Sequence, residues 1–152
     1  MSPFSNNIES FIKIDGTGNV ATFTAGSATY DNALFTTDYT DRLGYDSAVF
    51  GLNVTTSLAS GESLTVNTAT VQDCATYGGS YTHFATLTLA TLTASGAAIS
   101  AGCYALTDGI DLAGAKRYVH MVVKPDLTAS GTDTCAYGTF TALGGAVIVP
   151  VS

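Results

Sequence analysis

Charge is scarce in this sequence. Asp, Glu, Lys and Arg make up 11% of its 152 residues, against about 25% in an ordinary soluble domain. So little charge predicts that other subunits cover much of the surface; the alternative is a secreted-type β domain that relies on Thr and Ser for solubility. Twelve acids face five bases, and the formal net charge is −7. No run of Lys and Arg is long enough to follow a phosphate backbone, so we expect no nucleic acid partner.

Long apolar runs are also missing. No segment approaches the roughly 18 consecutive apolar residues of a membrane span, so we expect no membrane partner. Residues 1–6 lack the basic start and apolar run of a secretory signal, which predicts synthesis in the cytoplasm. The three cysteines, Cys74, Cys103 and Cys135, form no Cys-x-x-Cys or Cys/His pair. They therefore predict plain thiols in or near the core, without a disulfide framework or a zinc site.

Residues suited to catalysis are few, with two histidines, two glutamates and no tryptophan. Ser80 follows Gly78-Gly79 but lacks the Gly-x-Ser-x-Gly elbow of a hydrolase. Most aspartates lie in predicted turns, where Asp is favoured for its hydrogen bonds to nearby backbone. The loop over residues 38–46 lacks a calcium-binding pattern, and we interpret Arg42 as offsetting its two nearest acids. We therefore predict that the chain is not an enzyme and has no catalytic residue, metal ligand, cofactor site or cofactor.

The periodic segments indicate an all-β fold. Thr, Val, Tyr and Phe dominate them, and Gly, Ser and Asp separate them. Ala48, Phe50, Leu52 and Val54, for example, alternate onto one face of a strand. Eight strands are predicted, over residues 20–24, 47–55, 63–72, 84–93, 103–106, 117–124, 134–143 and 146–151. This pattern predicts an antiparallel β-sandwich, with a jelly roll favoured and an immunoglobulin-like sandwich second. Strand count alone does not separate the two.

The N-terminal segment differs from the rest. Ile8, Phe11 and Ile12 have helical spacing, but one or two turns of helix are marginal alone. Gly16-Thr17-Gly18 is typical of a flexible joint. We therefore predict an N-terminal extended arm over residues 1–18 and a single β-sandwich domain over residues 19–152. The apolar side chains of Ile8, Phe11 and Ile12 need a partner surface, which makes them candidate subunit contacts.

Three of the five basic residues lie between positions 116 and 124. Val119, Met121 and Val123 form one apolar face of a predicted strand that ends before Pro125, and the polar residues alternate onto the other face. A histidine on that face could tune a contact through its charge, although it is more often a half-exposed strand residue. Strand-end charges are often merely solvated. The candidate subunit contacts in this basic strand are Lys116, Arg117, Tyr118, His120 and Lys124.

Short motifs in the second half of the chain resemble a known family. They include Ile110-Asp111-Leu112, Ala115-Lys116-Arg117-Tyr118-Val119, Lys124-Pro125-Asp126-Leu127, Ser130-Gly131-Thr132-Asp133-Thr134 and Leu143-Gly144-Gly145. Further upstream, Gly61-Glu62-Ser63-Leu64-Thr65-Val66 and Val71-Gln72-Asp73 fit the same pattern. Over residues 45–150 the chain resembles the small jelly-roll cement, or capsid decoration, proteins of tailed bacteriophages.

This resemblance implies a structural role. It implies a homotrimer on the outer surface of the virion head, made in the host cytoplasm, that ties neighbouring copies of the major capsid protein together. The expected partners are therefore the major capsid protein and the chain itself. The alternative is a virion appendage or carbohydrate-binding sandwich, such as a head fibre or receptor-binding module, in which Tyr45, Tyr77 and Tyr81 stack on sugar rings.

Overall fold

The computed structural model describes residues 12–87, 91–93, 98–105, 109–128 and 131–146. These residues form eleven strands. The described ranges contain no helix long and apolar enough to cross a membrane. The strands are β1 (Ile12–Thr24), β2 (Phe35–Thr36), β3 (Thr40–Asp41), β4 (Tyr45–Leu58), β5 (Ser63–Cys74), β6 (Thr82–Thr86), β7 (Thr91–Thr93), β8 (Ala98–Ala105), β9 (Ile110–Asp111), β10 (Tyr118–Leu127) and β11 (Thr134–Ala146).

The strands form two antiparallel sheets. The first sheet has the order β1-β11-β4-β8, with β9 also pairing with β4. The second has the order β2-β10-β5-β6, with β3 pairing with β10 and β7 with β5. The first strand pairs with the last, β2 and β3 pair with β10, β4 pairs with β8, and β5 pairs with β6 and β7. A long hairpin folded back on itself gives this nesting, so the predicted jelly-roll sandwich is confirmed.

The core lies between the inner faces of the two sheets. In β4, the predicted face of Ala48, Phe50, Leu52 and Val54 is buried, and its neighbours alternate outward. In β10, Val119, Met121 and Val123 are fully buried, as predicted. In β4 burial follows the period of two because only one face enters the core. In β10 the apolar residue types alternate as predicted, but His120 and Val122 on the other face are buried as well.

Proline does not end β10. The strand runs on through Pro125 to Leu127, and its register against β5 shifts between Lys124 and Pro125. A bulge leaves one residue outside the regular ladder, so proline is tolerated there although it has no N–H to donate. The run predicted over residues 84–93 is likewise two short strands, β6 and β7, which pair with different parts of β5.

The predicted N-terminal arm overlaps the first sheet. Strand β1 begins at Ile12 and pairs with β11 from Ile12 to Thr24, so residues 12–18 are strand residues and not an arm ahead of the domain. Ile12, which shares a helical spacing with Ile8 and Phe11 in the sequence, is a strand residue. Ile8 and Phe11 lie outside the described residues, as does the strand predicted over residues 146–151 beyond Ala146.

Candidate functional site

The outer surface of the first sheet carries no charge along its two central strands. Residues of β4 and β11 that alternate with the buried positions point away from the core and lie opposite each other in register. We call them the uncharged face: Ser47, Val49, Gly51, Asn53, Thr55, Ser57, Thr134, Ala136, Gly138, Phe140, Ala142 and Gly144. In a chain with twelve acids, twelve neighbouring positions without charge form a surface that can be buried without desolvating an ion.

The Phe140 ring covers Gly51 at the centre of this face. The two residues are direct partners across β11 and β4, and the Phe140 ring occupies the space that a Cβ on Gly51 would need. An aromatic ring that covers a glycine on the neighbouring strand protects backbone otherwise open to water. The face is therefore apolar at its centre, and Asn53 and Thr55 are exposed beside it.

An open cavity lies at one end of the uncharged face. Its volume is about 360 Å³, and its lining includes Ile12, Val49 and Ala142. The neighbouring strand β1 exposes 45% of Ile12 and 72% of Ile14. Ile12, a candidate contact in the sequence, is thus exposed beside an apolar depression, where it can contact another molecule. Whether it does so stays a prediction.

The basic strand is largely neutralised within the chain. Lys116 Nζ lies 3.1 Å from Asp73 Oδ1, and Arg117 holds Asp41 through Nε and Nη2 at 2.8–3.2 Å. Lys124 is partly exposed in β10. The sequence did not identify either acid as a partner, because each becomes adjacent only through strand pairing. A role for these residues in contacts with other subunits stays a prediction.

Asp73 is more deeply buried than Asp41, the other acid that pairs with the basic strand. It is 5% exposed and accepts hydrogen bonds from the Lys116 backbone N–H at 2.9 Å and from Thr82 Oγ1 at 2.8 Å. Burial favours the neutral carboxyl, but the bonds from Lys116 and Thr82 outweigh it and lower the pKa of Asp73. Asp73 therefore stays ionised and joins β5, β6 and the segment before β10.

Arg42 corrects one sequence interpretation. Its guanidinium donates to the backbone carbonyls of Ala115, Lys116 and Tyr45, rather than to the neighbouring acids. Asp41 is held by Arg117 instead, whose hydrogen bond lowers the pKa of that carboxyl. Arg42 thus joins the loop before β4 to the segment before β10.

Among the described residues, no cluster of His, Cys, Asp or Glu could hold a metal ion.

Four tyrosines and a histidine come together on the outer side of the second sheet. We call Tyr39, Tyr77, Tyr81, Tyr118 and His120 the tyrosine patch. The Tyr81 ring stacks on His120 at 3.9 Å and on Tyr39 at 5.1 Å, and Tyr77 meets Tyr39 edge-on at 5.0 Å. Tyr118 meets Tyr77 at 5.8 Å on one side, and the Arg117 guanidinium lies 5.2 Å from its ring on the other. The patch therefore continues into the Arg117–Asp41 ion pair.

Sequence identified this patch only in part. Tyr77 and Tyr81 were candidates for stacking on a ligand, but Tyr45 packs against the hydrophobic core elsewhere. Tyr39 was missed because it comes from the loop between β2 and β3, far from the other members in sequence. Only the frequency of tyrosine in the loops before β3 and β6 could have indicated it.

His120 is buried rather than half-exposed, with 5% of its surface accessible. Its Nε2 lies 2.9 Å from Gln72 Oε1, so with this oxygen as acceptor Nε2 carries the hydrogen. Nδ1 is buried without a hydrogen-bond partner among the described residues. Burial lowers the pKa of His120, because the charged ring would lose its hydration inside the protein.

This burial predicts a stability that falls in mild acid. Below pH ~6.5 the unfolded chain binds a proton at His120 more readily than the folded chain does. The free energy of unfolding therefore falls, by up to about 1.4 kcal/mol at pH 5.5. Below pH ~4 protonation of Asp41 and Asp73, whose pKa values are lowered in the fold, adds a further loss. Urea unfolding at several pH values checks this.

His120→Gln is expected to abolish the fall in the free energy of unfolding between pH 7.5 and 5.5. His83→Gln, at an exposed histidine, should leave that fall unchanged. If the full fall persisted in His120→Gln, groups other than His120 would cause it.

Comparison with known proteins gives distant structural neighbours. No family model matches the chain, and no curated protein matches it. The structure titled "Structure of infectious bursal disease virus Gx strain" aligns with 93% of this chain and 33% of its own, at 10% identity and a TM-score of 0.48. The structure titled "Crystal structure of infectious bursal disease virus VP2 subviral particle" aligns with 91% of this chain and 34% of its own, at 11% identity and a TM-score of 0.47.

A third neighbour is titled "Crystal structure of PBSX exported protein XepA". It aligns with 90% of this chain and 39% of its own, at 15% identity and a TM-score of 0.39. The chain thus spans about a third of the length of these neighbours. Such distant likenesses assign no function.

Proposed function

We propose that this protein is a structural virion protein that binds the outer surface of a tailed-phage head as a trimer and stabilises contacts between major capsid subunits. The observation that carries the proposal is the uncharged face. Copies of a chain with net charge −7 repel one another, so a crowded particle favours contact through surfaces that carry no acid. Many modest contacts of this kind add up over a particle.

The uncharged face supplies about half of a standard interface. Its two strands, spaced about 4.8 Å apart and rising about 3.3 Å per residue, cover about 10 by 43 Å when the 13 residues of β11 set the length. The resulting area of about 400 Å² is about half of one partner's share of a standard protein interface, and the exposed Ile12 and Ile14 of the neighbouring β1 extend it. We therefore assign this face to the shell, with the cavity beside Ile12 receiving an apolar side chain of the capsid.

A charge placed on the uncharged face tests the proposal. Thr55→Glu puts a carboxylate on an exposed outward position of β4, where it stays solvated in the free protein. Docking would bury that charge unpaired, so attachment to undecorated expanded heads is expected to weaken by more than about tenfold. Co-sedimentation with heads and the heat resistance of the decorated particles measure the effect.

Ser60→Glu is the matched control, because it adds the same charge in an exposed turn. It should attach as the unchanged protein does. If both variants attached equally well, the uncharged face would not be the docking surface. Failure of the unchanged protein to bind heads, together with a light-scattering mass of one chain, would overturn the function itself.

A further inference from the structure

The tyrosine patch lies on the sheet opposite the uncharged face and plays no part in the docking proposed above. We propose that it is a binding site for a neutral saccharide, with sugar rings stacked on Tyr77 and Tyr39. The site is independent of head attachment, so each proposal can fail alone.

The patch offers aromatic surface that is already held in place. Tyr77 is 72% exposed and Tyr39 is 37% exposed. Edge-on contacts at 5.0 Å and 5.8 Å fix Tyr77 between Tyr39 and Tyr118, and Tyr81 supports Tyr39 from behind. A rigid side chain with few rotatable bonds loses little entropy on binding, so such a platform favours weak, stacked ligands.

A polar edge borders the platform. The Arg117 side chain is 49% exposed and that of Asp41 is 34% exposed. Arg117 uses Nε and Nη2 for Asp41, and its Nη1 group has no protein partner among the described residues. A carboxylate has about four acceptor sites and a guanidinium five donors, so the pair retains groups of both kinds for ligand hydroxyls.

The charges of the patch favour a neutral ligand. Arg117 is balanced by Asp41, and the buried His120 resists protonation, so the patch has no net charge within an acidic chain. A saccharide combines apolar C–H faces, which stack on rings, with hydroxyl edges that both donate and accept. Anionic ligands would meet the surplus of acids elsewhere on the surface.

Two buried polar atoms beneath the platform fit the same chemistry. Tyr81 Oη and His120 Nδ1 lack hydrogen-bond partners among the described residues, although their rings stack on each other. Unsatisfied buried groups are costly, and a native structure keeps few of them. A sugar hydroxyl satisfies both kinds of group, because it can accept from a phenol and donate to an imidazole nitrogen.

Titration of the full chain with neutral oligosaccharides tests the site. The probes are maltotetraose, cellotetraose, chitotetraose and a β-1,4-galactotetraose, each taken to about 10 mM, near the weak end of specific binding. The chain has no tryptophan, so its intrinsic fluorescence reports on tyrosine directly. We expect saturable binding of at least one probe, with a dissociation constant between micromolar and millimolar.

Variants locate the binding on the patch. Tyr77→Ala is expected to weaken it at least tenfold, about 1.4 kcal/mol, while Tyr77→Phe retains most of it. Tyr30→Ala is the control, because Tyr30 is 39% exposed but lies beside Phe23, away from the patch. No saturable binding of any probe would overturn the proposal, as would binding that Tyr77→Ala leaves unchanged. Loss of head attachment in Tyr77→Ala without sugar binding would instead assign the patch to a protein partner.

Discussion

Asp73→Ala is expected to lower the free energy of unfolding by about 3 kcal/mol, because it removes three interactions from one buried position. The carboxylate accepts from the Lys116 backbone, from Lys116 Nζ and from Thr82. Its loss leaves the Lys116 N–H without its acceptor where β5, β6 and the start of β10 meet. Urea denaturation at pH 7 measures the difference in the free energy of unfolding. The slope of that free energy against urea concentration should be the same for both proteins.

Asp41→Ala is the matched comparison. Asp41 also pairs with a base of the basic strand, but both side chains of that pair are substantially exposed. Water replaces such a contact easily, so the cost is expected to stay below about 1 kcal/mol. Equal losses for the two variants would contradict the view that burial, and not ion pairing as such, makes Asp73 important.

Phe50→Ala is expected to cost about 4 kcal/mol of unfolding free energy. Phe50 is fully buried, lies on the inner face of β4 and has Thr141 of β11 as its register partner. β4 is central in its sheet, with β11 on one side and β8 on the other, so the cavity cannot collapse without moving several strands. The melting temperature should fall by roughly 8–16 °C for a domain of this size.

Phe140→Ala makes the same chemical change on the opposite side of the first sheet. Phe140 lies on the uncharged face and is only partly buried, so its removal should destabilise the chain by less than Phe50→Ala does. It should nevertheless weaken attachment to heads, because it removes apolar surface from the docking face and uncovers Gly51. If Phe140→Ala destabilised the fold as much as Phe50→Ala, the uncharged face would be structural and not a docking surface.

Several features could be predicted because they depend on near neighbours in the chain. The alternation of Ala48, Phe50, Leu52 and Val54 fixes which face of β4 enters the core, since a shift of one residue would turn all four to water. The same reasoning identified the core-facing residues of β10, but not the burial of His120 and Val122 on its other face. Sequence failed at Pro125 and at Ile12, where a bulge and an edge strand follow the sheet rather than local propensity.

The amino-acid sequence by itself determined that this protein is an all-β sandwich that is poor in charge, because composition and a period of two are local properties. Only the tertiary structure decided which side chains meet. Arg117 pairs with Asp41, which lies 76 positions away in the sequence, and Lys116 pairs with Asp73, which lies 43 positions away. The uncharged face and the tyrosine patch arise in the same way, from strand order and register, and these are set by burying both sheets at once rather than by any single segment.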